Sequence, residues 1–181
     1  MSQRRKFIKQ SLLGSALLIP GLSTLEAQAA PAKKAAGTKP IILSTWNHGI
    51  PANADAWAKL KETGSLLDAV EAGVRNTELD LENLSVGLQG LPDREGITTL
   101  DASIMLGDGS CGSVAFVRQV KHPISLARAV MEKTPHVMLA GEGARQFAIA
   151  QGFPMEKEKL SPKAQVEYDK WRVTSQYKPM I

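Results

Sequence analysis

Residues 41–43 form a short apolar run, Ile-Ile-Leu, directly after Pro40. Because the run is too short for a helix and follows a turn-forming residue, it predicts a buried strand that opens the folded domain. The polar cluster at residues 45–49 then places Trp46 and His48 at the end of this strand. Strand ends are common positions for binding clefts in layered α/β proteins, so both side chains are candidate pocket residues. A Trp at the end of a core strand is also a common packing residue, and the pattern alone leaves both interpretations open.

Helical periodicity follows in two segments. Asn53 is predicted to cap a short helix that runs to Lys61. Ser65 is predicted to cap a second helix, in which apolar residues recur at helical spacing up to Thr77. We expect this second helix to lie flat on a sheet, with Gly73 allowing the close approach. Its charged residues are expected to face water: Glu71, Arg75 and Glu78.

The period changes after residue 86, where glycine and proline become frequent. Residues 97–106 and 112–120 are strand-like and are separated by a short glycine-containing turn, so they predict an antiparallel hairpin. Helical patterns return at residues 123–133, 143–151 and 162–171, with a brief apolar segment at 136–139. The pattern therefore predicts a domain that mixes helices with strands.

The first 29 residues resemble an export signal rather than part of the fold. Residues 3–9 (Gln-Arg-Arg-Lys-Phe-Ile-Lys) include four basic side chains and are close to the bacterial twin-arginine pattern. An apolar stretch covers residues 12–25, and Ala27-Gln28-Ala29 offers a cleavage site. We expect a signal peptide at 1–29, a linker at 30–38 and one domain at 39–181, exported to the periplasm. An uncleaved membrane anchor is the alternative, although the apolar stretch is short for a span.

Removal of this signal changes the charge of the protein. The whole chain has a formal net charge of +4. Four of its 22 basic residues and one of its 18 acidic residues lie within the signal, which leaves 18 basic and 17 acidic residues. A nearly neutral chain with few aromatic residues argues against nucleic-acid binding.

Most familiar catalytic patterns are missing from the sequence. The three histidines, His48, His122 and His136, lie far apart and outside any metal-ligand spacing. Cys111 is the single cysteine, so we predict no internal disulfide, no zinc site and a structural thiol. We also predict no cofactor. Asp101 lies within a predicted strand, where a carboxylate needs a partner, and either a structural hydrogen bond or a catalytic role would provide one.

Four stretches in order carry a resemblance to a known family. They are residues 44–47 (Ser-Thr-Trp-Asn), 64–71 (Gly-Ser-Leu-Leu-Asp-Ala-Val-Glu), 85–96 with its Ser-Val-Gly and Pro-Asp-Arg-Glu-Gly ends, and 99–102 (Thr-Leu-Asp-Ala). Together they resemble the α-subunit of glycosylasparaginase, an N-terminal-nucleophile hydrolase. The likeness runs from about Lys39 to the last residue.

The resemblance implies an α+β fold with four layers, αββα, of which this chain is the α-subunit half. It implies a precursor that cuts itself before a threonine, giving α- and β-subunits that stay together and can pair into a dimer of αβ pairs. The new N-terminal threonine of the β-subunit is then the nucleophile, with its own α-amine as the base. The implied substrate is a small glycosylated asparagine, cleaved between N-acetylglucosamine and the asparagine side chain.

The resemblance also suggests roles for individual residues. Trp46 falls on the family's tryptophan that lines the substrate pocket. Ser85 and Asp101 fall in matching stretches near the cleft, whereas His48 stands where relatives have Phe, so these three are possible pocket or supporting residues. No catalytic residue is expected within this chain, because residues 177–179 match a stretch shortly before the family's His-Asp-Thr cleavage signal. Alone, the chain is therefore expected to be inactive.

Two other interpretations stay open at this point. The chain could be the α-part of an isoaspartyl peptidase or plant-type asparaginase, although its 85–96 loop looks more like the glycosylasparaginase version. It could also be a non-catalytic exported binding module that keeps half of the fold. The module predicts a stable monomer, whereas half of a shared sandwich should expose an apolar sheet face and open strand edges.

Overall fold

The computed structural model describes residues 39–175, and the fold is given for these residues alone. The elements in chain order are α1 (Gly49–Thr63), α2 (Leu66–Glu78), β1 (Leu100–Met105), β2 (Cys111–Val117), α3 (Pro123–Lys133), β3 (Met138–Ala140), α4 (Gly141–Ala150) and α5 (Pro162–Thr174). The predicted signal peptide and linker, and the stretch at 177–179, lie outside the described residues. The α+β class predicted from the sequence agrees with this mixture of helices and a small sheet.

The described strands form one sheet in the order β1-β2-β3. β1 and β2 pair antiparallel, which confirms the predicted hairpin, and β3 pairs parallel to β2. The brief apolar segment at 136–139 thus contributes the third strand. The pairing is irregular between Leu100 and Ala102, where Ala115 and Phe116 of β2 lie opposite Asp101 alone. This is a β-bulge, in which the extra residue loses its partner in the ladder.

The hydrophobic core lies between one face of the sheet and the helices α3 and α4. Alternate residues of β1 and β2 point into it, among them Leu100, Ile104 and Val114. The opposite face of the sheet is not covered by any described element. Met105, which is 70% exposed, lies on this bare face together with the exposed Phe116.

The predicted capping of the second helix is confirmed. The Ser65 hydroxyl accepts a hydrogen bond from the backbone N of Asp68 at 3.1 Å, and α1 ends at Gly64 with a left-handed φ of 70°. The expectation that α2 lies flat on the sheet was wrong, because α2 packs chiefly along α1. A Cβ atom at Gly73 would lie 2.9 Å from the carbonyl oxygen of Ala52. Gly73 does allow a close approach, but the partner is a helix.

The predicted opening strand at 41–43 is not present. These residues have no regular secondary structure, and the Leu43 side chain is 88% exposed. A strand requires a neighbour to bond its backbone, and no described strand lies beside this run. The first helix also begins at Gly49 rather than at Asn53, whose side chain instead accepts a hydrogen bond from the Ser44 hydroxyl.

The expected exposure of Glu78 was likewise wrong. Its side chain is only 2% exposed and lies between the end of α2 and the start of α3. Val74 lies one turn earlier and Leu67 two turns before that, and both pack against the core. Glu78 therefore lies on the core-facing side of α2. Its spacing from Leu67 and Val74 predicts burial, whereas its charge suggested exposure.

Candidate functional site

Trp46 and His48 lie together in the turn that leads into α1. Their ring centroids are 5.8 Å apart with an interplanar angle of 88°, an edge-to-face arrangement. Trp46 has a φ of 62°, which is unfavourable for a bulky L-residue. Its side chain is 74% exposed. The turn thus carries backbone strain while presenting a large aromatic surface to solvent.

The imidazole of His48 is held in an unusual setting. Both ring nitrogens are buried, and neither has a hydrogen-bond partner among the described residues. A buried polar atom without a partner costs about 1–3 kcal/mol. A group that supplies a donor or acceptor at this position would recover that free energy.

His48 contributes to the wall of a cavity of about 580 Å³. The cavity lies between residues 41–45 and the facing surfaces of α1 and α2, and its wall also includes Val86. Most of the wall is apolar, with a few polar side chains such as Thr77 and Asn53. An apolar cleft with a small number of polar groups is the usual form of a small-molecule site.

The structure brings some of the predicted site residues to this cleft and separates others. Trp46 contacts the wall through His48, and Ser85 is next in sequence to Val86. Ser85 itself is exposed, and its backbone N donates to Oδ1 of Asn83 at 2.8 Å. The pocket roles of Trp46, His48 and Ser85 stay predictions.

Asp101 lies on β1, away from the cavity wall. Its Oδ1 accepts a hydrogen bond from the backbone N of Phe116 at 2.7 Å, at the β-bulge described above. Phe116 has a φ of 53°, so its N–H turns out of the ladder toward the carboxylate. Of the two roles left open by the sequence, the structural hydrogen bond is the one that this geometry provides.

A cluster of charged side chains joins α2 to α3. One guanidinium nitrogen of Arg128 lies 2.6 Å from Asp68 and 2.7 Å from Glu71. Ser125 donates to Glu71 at 2.5 Å, so each of these carboxylates has a partner. The hydrogen bond from Arg128 lowers the pKa of Asp68. The cluster attaches the two helices to each other and leaves no free acid in this group.

Residues 39–175 contain no group of three or more His, Cys, Asp and Glu side chains arranged to hold a metal ion. Cys111 is a free thiol of intermediate exposure at the start of β2. Within the same range, no helix has the length and apolar character required to cross a bilayer.

Similarity to known proteins identifies the family of this chain. A family model described as "Asparaginase" matches residues 46–179, which is most of the chain. The chain belongs to this asparaginase family. The match begins at Trp46, one of the predicted pocket residues.

Individual relatives agree with the family match. An N(4)-(β-N-acetylglucosaminyl)-L-asparaginase of Elizabethkingia miricola is 49% identical over 99% of this chain and 53% of its own length. The protein of the same name from Rattus norvegicus is 39% identical over 70% of this chain and 36% of its own length. A probable isoaspartyl peptidase/L-asparaginase of Drosophila melanogaster is 40% identical over 75% of this chain and 38% of its own length. The resemblance to glycosylasparaginase found in the sequence is thereby confirmed.

The chain spans about half of the first of these relatives and little more than a third of the other two. Each of these three relatives thus contains a large part that its match to this chain does not cover.

Proposed function

We propose that this chain is the α-part of an amidohydrolase that cleaves the linkage between N-acetylglucosamine and asparagine. The observation that carries the proposal is the 49% identity, over 99% of the chain, to the Elizabethkingia miricola protein named for that activity. Identity at this level over the whole chain makes a shared fold and a shared substrate class the simplest interpretation.

The catalytic threonine would come from the part of the relatives that this chain does not match. That β-part would provide the N-terminal nucleophile and the second sheet of a four-layer αββα sandwich. The bare face of the sheet supports this proposal, because Met105, Phe116 and Met138 are exposed on it. A second sheet packed on that face would remove these side chains from water, at about 25 cal/mol per Å² of apolar surface. A dimer of such αβ pairs would be the complete assembly.

The segment at 41–48 supports the same proposal. Ile41 and Leu43 are exposed, the backbone is strained at Trp46, and the His48 nitrogens have no partner within residues 39–175. Each of these features is unfavourable in the isolated chain, and each would be relieved by a neighbouring strand and a filled cleft. Trp46 would then form a wall of the substrate pocket, with His48 and Ser85 nearby.

A related activity is the second candidate. The Drosophila melanogaster relative, named as a probable isoaspartyl peptidase/L-asparaginase, is 40% identical over 75% of this chain. The two candidate activities differ in the group that is cleaved from the aspartyl side chain, a sugar in the first and a peptide in the second. Only a comparison of substrates therefore distinguishes them.

The test is an assay with two substrates. The chain would be purified alone and also co-expressed with a β-part that carries an N-terminal threonine. Each sample would then be assayed with N-acetylglucosaminyl-asparagine and with a β-aspartyl dipeptide. We expect hydrolysis of the sugar-asparagine substrate by the pair, and none by the chain alone or by a pair whose N-terminal threonine is replaced by Ala. Preference for the dipeptide would favour the second candidate. A soluble, monomeric chain that binds no β-part would favour a non-catalytic binding module.

We also propose that residues 1–29 direct export to the periplasm. The support is the pair Arg4-Arg5 followed by an apolar stretch and small residues. Replacement of both arginines by lysine should retain a fused reporter in the cytoplasm, while the unchanged leader delivers it to the periplasm. Equal delivery by both leaders would contradict a twin-arginine signal.

A further inference from the structure

Glu78 is a buried carboxylic acid that connects two helices. It is the last residue of α2, and its Oε1 accepts a hydrogen bond from the backbone N of Ile124 at 2.9 Å. Ile124 lies in the first turn of α3, where backbone N–H groups have no partner within the helix. The side chain of His122, the residue before α3, makes no capping bond there, so the Glu78 carboxyl caps α3 from a neighbouring helix.

The second oxygen of Glu78 meets the imidazole of His122. Oε2 lies 2.9 Å from Nδ1, and the two side chains are only 2% and 14% exposed. A carboxyl oxygen and an imidazole nitrogen at this distance require one hydrogen between them, because two bare lone pairs would repel. The hydrogen can belong to the carboxyl group or to the imidazole.

We infer that Glu78 and His122 form a one-proton junction between α2 and α3, whose own contribution to the stability of the fold is nearly independent of pH in the weakly acidic range. The junction holds one titrating proton in the folded chain and the same number in the unfolded chain. The proton changes its residue on folding, but no net proton is gained or lost.

The surroundings of the junction explain where the proton lies. The charged groups that face it are Glu71 and Arg75 of α2 and Lys121 before α3, with Glu71 itself bound to Arg128. Burial raises the pKa of Glu78 from an ordinary 4.5 to about 7. Burial, with help from Arg75 and Lys121, lowers the pKa of His122 from an ordinary 6.5 to about 4. Between pH 4.5 and 6.5 these shifts favour a folded chain in which Glu78 holds the proton and His122 is neutral.

Proton counting then gives the pH dependence. Between pH 4.5 and 6.5 the unfolded chain holds its proton on His122, and the folded chain holds one on Glu78. Because stability changes with pH only when the two states bind different numbers of protons, the pair contributes almost no slope in this window. Either residue alone would make the free energy of unfolding depend strongly on pH, and the two dependences have opposite signs.

Single substitutions should reveal the pH dependence of stability that each residue contributes alone. In His122→Asn the remaining Glu78 has a raised pKa, so its contribution is present below pH 4.5 and is lost as the pH rises toward 7. In Glu78→Gln the remaining His122 has a lowered pKa, so stability is lost as the pH falls from 6.5 toward 4. Each slope should change the unfolding equilibrium constant by up to about two orders of magnitude across its window.

The experiment is urea unfolding of the full chain at intervals from pH 4 to pH 7.5. The free energy of unfolding should depend on pH in the same way in the wild type and in the double variant Glu78→Gln, His122→Asn. Relative to these two, it should fall with rising pH in His122→Asn and with falling pH in Glu78→Gln. The exposed residues His136 and Glu62 provide matched controls as His136→Asn and Glu62→Gln, which should follow the wild type. Single variants that also follow the wild type, or that slope in the same direction, would overturn the junction.

A measurement on the wild type covers the case in which a variant does not fold. The ¹⁵N shifts of the His122 ring, assigned by comparison with the other histidines, should report a neutral imidazole at pH 5.5. The hydrogen on that ring should move from Nε2 to Nδ1 as the pH rises through 7, when Glu78 loses its proton. An imidazolium ring at pH 5.5 would overturn the assignment of the proton to Glu78.

Discussion

The carboxylate of Asp101 accepts a hydrogen bond from the backbone N of Phe116 at 2.7 Å, across a β-bulge. We predict that Asp101→Ala lowers the free energy of unfolding by about 1 kcal/mol, because the displaced N–H loses its acceptor. Asp101→Asn keeps an acceptor oxygen and should stay near the wild type in urea unfolding. Equal losses in both variants would indicate that the negative charge, and not the hydrogen bond, matters at this position.

The contact between Gly73 and the carbonyl of Ala52 leads to a second prediction. A Cβ at Gly73 would lie 2.9 Å from that backbone oxygen, so Gly73→Ala should push α1 and α2 apart. We expect a loss of about 2 kcal/mol of stability, as for other overpacked contacts. Gly143→Ala is the matched control, since a Cβ at this helical position in α4 meets no atom within 4 Å and Ala favours helix. If Gly73→Ala were as stable as the wild type, the close approach would not be required.

The exposure of Trp46 separates a functional role from a structural one. Its side chain is 74% exposed in this chain, so Trp46→Ala should leave the thermal unfolding of the chain nearly unchanged. In the proposed assembly with a β-part, the same substitution should lower kcat/KM for N-acetylglucosaminyl-asparagine, by about tenfold or more if a stacking contact is lost. Self-cleavage of the proposed precursor should proceed normally. Unchanged kinetics in Trp46→Ala would exclude a pocket role.

A charged substitution can test whether the proposed β-part packs on the bare face of the sheet. Met105 is 70% exposed there, so Met105→Glu should not disturb the isolated chain. It should prevent assembly with the β-part, because a carboxylate would have to be buried between two sheets. Size-exclusion chromatography of the co-expressed parts would show this. Val173→Glu, at an exposed position of α5, is the control and should assemble. Assembly of both variants would place the partner on another face.

Much of the fold could be predicted because it depends on local sequence. The hairpin of β1 and β2 follows from two strand-like runs and a short turn, and the start of α2 follows from the Ser65 cap. Such features are determined by neighbours in the chain, so their signals lie within a few residues. The family was likewise evident from short stretches, because each of them is contiguous.

Other features were decided by residues that are distant in the chain. The run at 41–43 has the composition of a strand, but strand formation requires a neighbouring strand that these residues do not have. Glu78 has the charge of a surface residue, yet it is buried because His122 and Ile124, more than 40 positions away, provide its hydrogen bonds. The sequence by itself determined the family and most of the elements, but not the strand predicted at 41–43 or the start of α1. Only tertiary structure decided which polar groups are buried, because burial of such a group depends on partners that folding brings to it.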